Sequence, residues 1–192
     1  MRIGVLGGTF DPIHEGHLAM ARAARGQFGL DKVLFVPALI PPHKINHRDL
    51  APAPYRYAMI EIAIQNEPAF EVSKIELDRP EISYTVETLR LLKQQYGGDQ
   101  IYLLLGADSM AEIPTWKEPE EIRRLARFLV APRGGDDLSR IGRGVDRINM
   151  ALCPIASSEI RRRIGKGESV KDMLSGELIK YIRQKKLYGA KG

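Results

Sequence analysis

Two histidines three residues apart are the side chains best suited to chemistry in this sequence. His14 and His17 follow a glycine-containing turn at residues 7–10 and stand at the start of an amphipathic stretch. Side chains three apart share a face of a helix, and a helix N-terminus carries unpaired N–H groups and a partial positive charge. Glycines in the turn let a ligand approach the main chain closely. The segment therefore predicts a site for a nucleotide phosphate.

The elements on either side would position these histidines. Arg2–Leu6 is predicted to be a buried strand of a parallel sheet, because it is short and almost continuously apolar. A helix is predicted to follow, from apolar residues on one face and a glycine at its end: Leu18, Ala21, Ala24, Phe28 and Gly29.

Strands and helices alternate along the rest of the chain, which is typical of a parallel sheet covered on both faces. The further predicted strands are Lys32–Pro37, Phe70–Leu77, Gln100–Leu105, Arg127–Ala131 and Ile148–Cys153. The further predicted helices are one with an apolar stripe of Tyr55, Met59, Ile62 and Ala63, then Thr85–Tyr96 with Leu89 and Leu92 inward, a helix capped by Ser157 or Ser158 and continuing to about Ile164, and Glu177–Lys186. Arg133–Gly144 is predicted to be a mobile loop.

The pattern predicts an α/β protein: a Rossmann-like doubly wound parallel sheet with helices on both faces and a small C-terminal helical segment. We interpret residues 1–192 as a single domain whose C-terminal helical part covers roughly 157–188. Open sheets of this kind bind ligands beyond the carboxyl ends of their strands. The glycine turn, Pro41–Lys44, Gly106–Ser109 and Ser157–Ser158 all follow predicted strands, so we expect them to converge on one edge.

Composition excludes several classes of protein. With 44% hydrophobic and 28% charged residues the chain resembles an ordinary globular protein, and its single cysteine excludes an intrachain disulfide or a cysteine-rich zinc site. No apolar run approaches a membrane span and no signal peptide is evident, so we expect a cytoplasmic protein without a membrane partner. The net charge of +5 suits small anions and nucleic acid equally. A basic nucleic-acid-binding module is thus the alternative of a different class, but no aromatic-and-basic surface pattern supports it and no nucleic-acid partner is expected.

The histidines themselves admit other interpretations. The turn lacks the spacing of a Walker loop or of a dinucleotide-binding glycine motif. His43 and His47 add two imidazoles that could bind a metal with the first pair, but no thiolate or carboxylate stands at a ligand spacing, so no protein-bound metal is expected. A purely structural role, in which both histidines cap or pack, stays open at this point.

Five segments of the sequence resemble a known enzyme family. Phe10–His17 resembles the His-x-Gly-His motif of the nucleotidyltransferases whose fold is shared with class I tRNA synthetases. Within that superfamily, four segments are similar to bacterial nicotinate-nucleotide adenylyltransferases: Pro41–Lys44, Ser83–Leu89, Leu105–Ser109 with Trp116 close behind, and Ile155–Arg161. The resemblance covers Met1 to Tyr188.

The resemblance implies transfer of AMP from ATP to nicotinic acid mononucleotide, with release of pyrophosphate and with Mg²⁺ carried by the ATP. It implies catalytic roles for His14, His17, Lys44 and Arg161. The residues implied to bind ATP are Gly7, Gly8, Thr9, Phe10, His14, His17, Gly106, Asp108, Ser157 and Arg161. Those implied to bind the nicotinate nucleotide are Thr9, Lys44, Thr85 and Trp116.

Several of these residues have plainer alternatives. Thr85 suits a helix N-cap as well as a nicotinate contact, and Asp108 suits a cap as well as a ribose contact. Trp116 could stack on the pyridine ring or serve as a hydrophobic plug. Ala156 replaces a serine of the family motif, and Arg133-Gly134-Gly135 replaces Arg-Pro-Gly. Nicotinamide mononucleotide and phosphopantetheine stay open as alternative acceptors, and the sequence leaves a homo-oligomer open.

Overall fold

Six parallel strands form one sheet in the part of the chain that the structure describes. This structure is a computed structural model, and it describes residues 1–42, 50–132 and 144–190. The strands are β1 (Arg2–Gly8), β2 (Lys32–Pro37), β3 (Phe70–Val72), β4 (Gln100–Gly106), β5 (Arg127–Ala131) and β6 (Val145–Arg147). Their order in the sheet is β3-β2-β1-β4-β5-β6.

The chain reverses its direction of travel across the sheet beside β1. β1 pairs in parallel with β2 on one side and with β4 on the other, with Val5 opposite both Leu34 and Leu103. The connections that leave β1 and β4 therefore diverge and open a crevice at the carboxyl ends of these two strands. This crevice is where a ligand site is expected in a doubly wound sheet.

Helices cover both faces of this sheet. They are α1 (Glu15–Phe28), α2 (Ala53–Ile64), α3 (Thr85–Tyr96), α4 (Ala107–Glu112), α5 (Pro119–Leu125), α6 (Ser157–Lys166) and α7 (Gly176–Gln184), with short 3-10 turns at Ile113–Thr115 and Leu187–Gly189. Strand residues alternate between two apolar clusters, as the period of two in a strand requires: Leu104 and Leu129 join the cluster under α1, α2, α6 and α7, while Leu103 and Val130 join the cluster under α3 and α5. The predicted α/β fold with a C-terminal helical segment is confirmed.

The interior strands and the helices beside them agree well with the sequence patterns. β2, β5 and α3 have the predicted bounds. The C-cap of α1 is Gly29, which adopts a left-handed conformation with φ 59°. Among the described residues, no helix is both long enough and apolar enough to cross a bilayer.

The two predicted edge strands are wrong in part or in whole. The strand predicted at Phe70–Leu77 ends at Val72, because the Ser73 hydroxyl accepts the Ile75 N–H at 3.3 Å and turns the chain away from the sheet. The strand predicted at Ile148–Cys153 does not form. The edge strand is Val145–Arg147 instead, and the Asn149 N–H donates to the Gln27 side chain at 2.8 Å rather than to a strand.

Two helices also differ from their predictions. The buried face of α2 consists of Arg56, Met59, Ile60 and Ile64, whereas Tyr55 is exposed and Ile62 and Ala63 are only half-buried. The last helix is Gly176–Gln184 rather than Glu177–Lys186. The loop predicted at Arg133–Gly144 lies outside the described residues except for Gly144.

Candidate active site

The turn between β1 and α1 is held in an unusual backbone conformation. Phe10 has φ 50°, in the left-handed region, and its side chain is 2% exposed. Its ring packs edge-on against His17 at 5.1 Å and lies 5.9 Å from Phe35, both between ring centroids. A β-carbon on Gly8 would lie 3.3 Å from the Phe10 ring, which explains why a glycine stands there. The Phe10 side chain therefore supports His17 from within the core.

The two histidines lie against each other at the N-terminus of α1. His14 is the extended residue before the helix, and His17 is its third residue. Their ring centroids are 3.8 Å apart, and the His14 N–H donates to His17 Nδ1 at 3.3 Å. A neutral His17 whose Nδ1 accepts a hydrogen bond carries its proton on Nε2. The structure thus brings the predicted pair together and makes the Nε2 of His17 a donor.

One cavity brings together three of the residues predicted to bind the nicotinate nucleotide. We call it the Thr85 cavity; it has a volume of about 410 Å³ and is lined by Thr9, His17, Thr85 and Trp116, among other residues. Thr85 is the first residue of α3 and Tyr84 is the N-cap, so the N-cap alternative for Thr85 is wrong. The fourth predicted residue, Lys44, lies outside the described residues together with His43 and His47.

A second cavity collects five of the ten residues predicted to bind ATP. We call it the Ser157 cavity; it has a volume of about 310 Å³ and is lined by Gly7, His14, His17, Gly106 and Ser157, among others. The first turns of α1 and of α6 both border it, so two helix N-termini place their partial positive charge at its wall. Asp108 is exposed in the first turn of α4, whose N-cap is Gly106. Asp108 therefore does not cap this helix.

The two cavities meet at His17 and Trp116, which line both. Trp116 also packs against the apolar cluster under α3, and its buried indole N–H finds no hydrogen-bond partner among the described residues. Trp116 thus packs on the core and borders both cavities, so its position agrees with both alternatives for this residue. The arrangement can hold one anionic ligand on each side of the His17 imidazole.

Helix α6 holds the segment just before His14. The Ser157 hydroxyl donates to the Pro12 carbonyl at 2.9 Å, and Arg161 Nη1 donates to the Asp11 carbonyl at 2.7 Å. The N-cap of α6 is Ala156, so the predicted capping by Ser157 or Ser158 is wrong. Because the helix begins at Ser157 itself, its hydroxyl is used for the neighbouring turn instead. The guanidinium of Arg161, with a side chain 31% exposed, stays accessible beside the turn.

A buried carboxyl group in the wall of the Thr85 cavity was missed by the sequence analysis. Glu76 is 7% exposed and accepts a hydrogen bond from the Thr88 hydroxyl at 2.6 Å. Burial raises the pKa of Glu76 above its ordinary value, although hydrogen bonds from Thr88 and Ser83 oppose the rise. Ser83 Oγ also accepts the Leu39 N–H at 3.0 Å. The one signal available in the sequence was a threonine, Thr88, on the inward face of α3 beside Leu89.

Comparison with known proteins identifies the family of this chain. The family model described as cytidylyltransferase-like matches residues 5–163. A probable nicotinate-nucleotide adenylyltransferase of Thermoanaerobacter sp. (strain X514) is 40% identical, over 98% of this chain and 94% of the relative. One of Thermus thermophilus is 42% identical, over 98% of this chain and the full length of the relative.

A solved structure agrees with the fold. Plasmodium falciparum nicotinic acid mononucleotide adenylyltransferase complexed with NaAD superimposes with a TM-score of 0.84 at 24% identity, over 98% of this chain and 97% of that one. The family assignment rests on the matching family model and on the relatives that align over nearly the whole chain. The chain belongs to the cytidylyltransferase-like family and, within it, to the nicotinate-nucleotide adenylyltransferases.

Proposed function

We infer that this enzyme transfers AMP from ATP to nicotinic acid mononucleotide, giving nicotinic acid adenine dinucleotide and pyrophosphate. The observation that carries the inference is that two ligand-sized cavities share His17 in their lining. An adenylyl transfer needs two anionic substrates on either side of one reacting phosphorus. Relatives about 40% identical over nearly the whole chain bear the name of this activity.

The Thr85 cavity suits the nicotinate nucleotide. Trp116 offers an aromatic face for a pyridine ring. The first turn of α3, which begins at Thr85, borders the same cavity, and the partial positive charge of a helix N-terminus favours a carboxylate over a neutral amide. This supports nicotinic acid mononucleotide over its amide counterpart. Thr9 lies where the phosphate of this substrate would pass toward His17.

The Ser157 cavity suits ATP. Gly7 and Gly106 leave backbone open to a ligand, since a β-carbon on either would meet nothing within 4 Å. The triphosphate would lie at the first turns of α1 and α6, with His14 and His17 near its charge. Arg161, which donates to the turn before His14, is proposed from the family resemblance to add positive charge. Asp108 and Lys44 are proposed from the family resemblance to contact the ribose and the phosphates, respectively.

The chemistry requires no general base. A phosphate monoester has a second pKa near 6, so the acceptor is largely a dianion at neutral pH. One of its oxygens attacks the α-phosphorus of ATP; the new P–O bond forms as the bond to the bridging oxygen breaks, and pyrophosphate leaves with the electron pair. Positioning and charge stabilisation then account for catalysis. We propose that the Nε2–H of His17 donates to the charge that develops on the transferring phosphoryl group.

Magnesium is proposed to enter as part of the substrate, MgATP. Across residues 1–42, 50–132 and 144–190, no three His, Cys, Asp or Glu side chains cluster as a protein-held ion requires. Mg²⁺ commonly keeps several waters and is bound through substrate phosphates, so this donor set fits a metal that ATP carries. A cytoplasmic location and the absence of a nucleic-acid partner remain predictions from the sequence, which leaves a homo-oligomer open.

The substrate assignment is tested by supplying MgATP with nicotinic acid mononucleotide, nicotinamide mononucleotide or phosphopantetheine in parallel reactions. Pyrophosphate release is measured for each. We expect kcat/KM to be highest with nicotinic acid mononucleotide. Equal or greater turnover with either of the other two acceptors would overturn the assignment.

A further inference from the structure

Four polar side chains from distant parts of the chain meet beneath the turn that precedes His14. We call Asp11, Arg56, Arg161 and Tyr188 the Asp11 cluster. Asp11 is 1% exposed and Arg56 is 2% exposed. Asp11 belongs to the turn, Arg56 to α2, Arg161 to α6 and Tyr188 to the last 3-10 turn. No step of the adenylyl transfer proposed above uses Arg56 or Tyr188.

The hydrogen bonds that Arg56 and Asp11 make are directed at the turn, at Tyr188 or at the chain just before α2, and the Tyr188 hydroxyl also lies 4.0 Å from the Met59 sulfur. Arg56 donates from Nη1 to the Thr9 carbonyl at 2.7 Å and from Nε to the Ala51 carbonyl at 2.9 Å. Asp11 Oδ1 accepts from the Tyr188 hydroxyl at 2.7 Å and from the Ala51 N–H at 3.2 Å. Asp11 Oδ2 lies 3.7 Å from Arg161 Nη1. The side chains thus link Thr9, Asp11 and Ala51 to one another.

Three backbone carbonyls between β1 and α1 are each held by a side chain from outside the turn. Arg56 holds that of Thr9, Arg161 that of Asp11, and Ser157 that of Pro12. Phe10, between them, has a left-handed backbone, which costs free energy for a residue with a side chain. A strained backbone conformation persists only when contacts with the surrounding structure hold it. These three hydrogen bonds therefore fix the conformation of the turn and, through it, the position of His14.

Burial of the guanidinium and the carboxylate is costly, and an apolar core of the same shape is often equally stable. Burial lowers the pKa of Arg56, while the nearby charge of Asp11 opposes that change. A stabilising role alone gives little reason for a fully buried arginine on the inward face of α2. A positioning role explains the buried arginine, because one guanidinium can bind two carbonyl groups and fix their positions relative to each other.

We propose that Arg56 and Tyr188 are positioning residues, which act through Thr9 and Asp11 to set the imidazoles of His14 and His17 against the reacting phosphates. This proposal rests on the function proposed above. Tyr188 lies in the last described turn of the chain, so the C-terminal segment takes part in assembling the site formed near the N-terminus. Small displacements of catalytic groups can lower rates by about a hundredfold.

The test compares Tyr188→Phe with the matched control Tyr181→Phe, which removes a hydroxyl from α7 outside the cluster. We expect Tyr188→Phe to lower kcat about tenfold while the KM for nicotinic acid mononucleotide changes less than twofold, because Asp11, to which Tyr188 donates, does not line the Thr85 cavity. Tyr181→Phe is expected to keep the wild-type kcat. A wild-type kcat in Tyr188→Phe with a lowered melting temperature, or equal losses in both variants, would overturn the proposal.

Hydrogen exchange of the peptide covering residues 9–14 gives a readout that does not depend on turnover. This peptide should exchange faster in Tyr188→Phe, whereas peptides from β4 should not change; an unchanged rate at residues 9–14 would contradict the proposal. If Tyr188→Phe does not fold, Arg56→Lys carries the test, since a lysine cannot hold both carbonyls. Its kcat should fall at least tenfold, and a wild-type kcat would refute the positioning role.

These measurements separate the two proposals. A wild-type enzyme that makes no dinucleotide from nicotinic acid mononucleotide refutes the proposed function, while the exchange measurement still tests how the turn is held. A wild-type enzyme that is active, with an unaffected Tyr188→Phe variant, refutes only the positioning role.

Discussion

Replacement of His17 by alanine tests the central feature of the proposed site. The variant removes the proposed Nε2–H donor of a residue that lines both cavities. Loss of one well-placed donor to a developing oxyanion costs about 3–4 kcal/mol in the transition state, or roughly a hundredfold to a thousandfold in kcat. His14 loses its ring neighbour at 3.8 Å as well. We therefore expect kcat to fall at least about a hundredfold.

The effect of the same substitution on stability should be small. The edge contact with Phe10 and the hydrogen bond from the His14 N–H are lost, at about 1 kcal/mol each. Alanine has the higher helix propensity, which offsets about half a kcal/mol of this loss. The net cost of roughly 1–2 kcal/mol leaves most domains folded, so the loss of activity can be separated from unfolding.

The assay is pyrophosphate release at saturating MgATP and nicotinic acid mononucleotide, with thermal unfolding followed by circular dichroism on the same samples. Arg22→Ala is the matched control on α1. Within the described part of the chain Arg22 makes only surface ion pairs, with Glu15 and Glu67, and its loss should leave kcat unchanged. A near-normal kcat in folded His17→Ala would mean that the imidazoles are structural and would refute the proposed donor role.

Three further outcomes follow from the same structure. Trp116→Ala should raise the KM for nicotinic acid mononucleotide about tenfold, as loss of a stacking surface does; an unchanged KM in steady-state kinetics would show that the indole does not bind the acceptor. The free energy of unfolding of Glu76→Gln should increase relative to that of the wild type as the pH rises above about 4, because free glutamate side chains ionise near that pH. Burial raises the pKa of Glu76 in the folded state, so its contribution to stability is complete below the unfolded pKa and is lost as pH rises through the folded pKa. Urea unfolding from pH 4 to 8 measures this difference, and parallel curves for the two proteins would contradict it. Excess EDTA should stop turnover without lowering the melting temperature, because the metal is proposed to come with ATP; a lowered melting temperature in a thermal scan would instead indicate a protein-held ion.

The interior of the sheet was predictable because its signals are local. The strands β2 and β5 are short, continuous apolar runs between polar or turn residues, and α3 has inward leucines and a glycine at its end. The edge strands were less predictable, because a single side chain that accepts a backbone N–H in place of a neighbouring strand is enough to end them. At β3 the Ser73 hydroxyl provides that bond, and after β6 the Gln27 side chain provides it.

The buried face of α2 shows a different limit. Apolar spacing alone favoured a stripe through Tyr55, but the helix is turned so that Arg56 is buried and Tyr55 is exposed. An arginine can be buried at low cost only where hydrogen-bond acceptors surround its guanidinium. The fold brings the carbonyls of Thr9 and Ala51 to that position. No local pattern around residue 56 contains that information.

The amino-acid sequence by itself determined the alternating α/β fold, the glycine turn with its two histidines, and the resemblance to the family, because apolar periodicity and motif spacing are properties of neighbouring residues. The tertiary structure decided that two cavities meet at His17, that Glu76 lies in the wall of one of them, and that Ser157 holds the turn rather than caps a helix, with Arg161 holding the same turn. These depend on contacts between residues up to 150 positions apart in the chain, and only the packed fold brings such residues together.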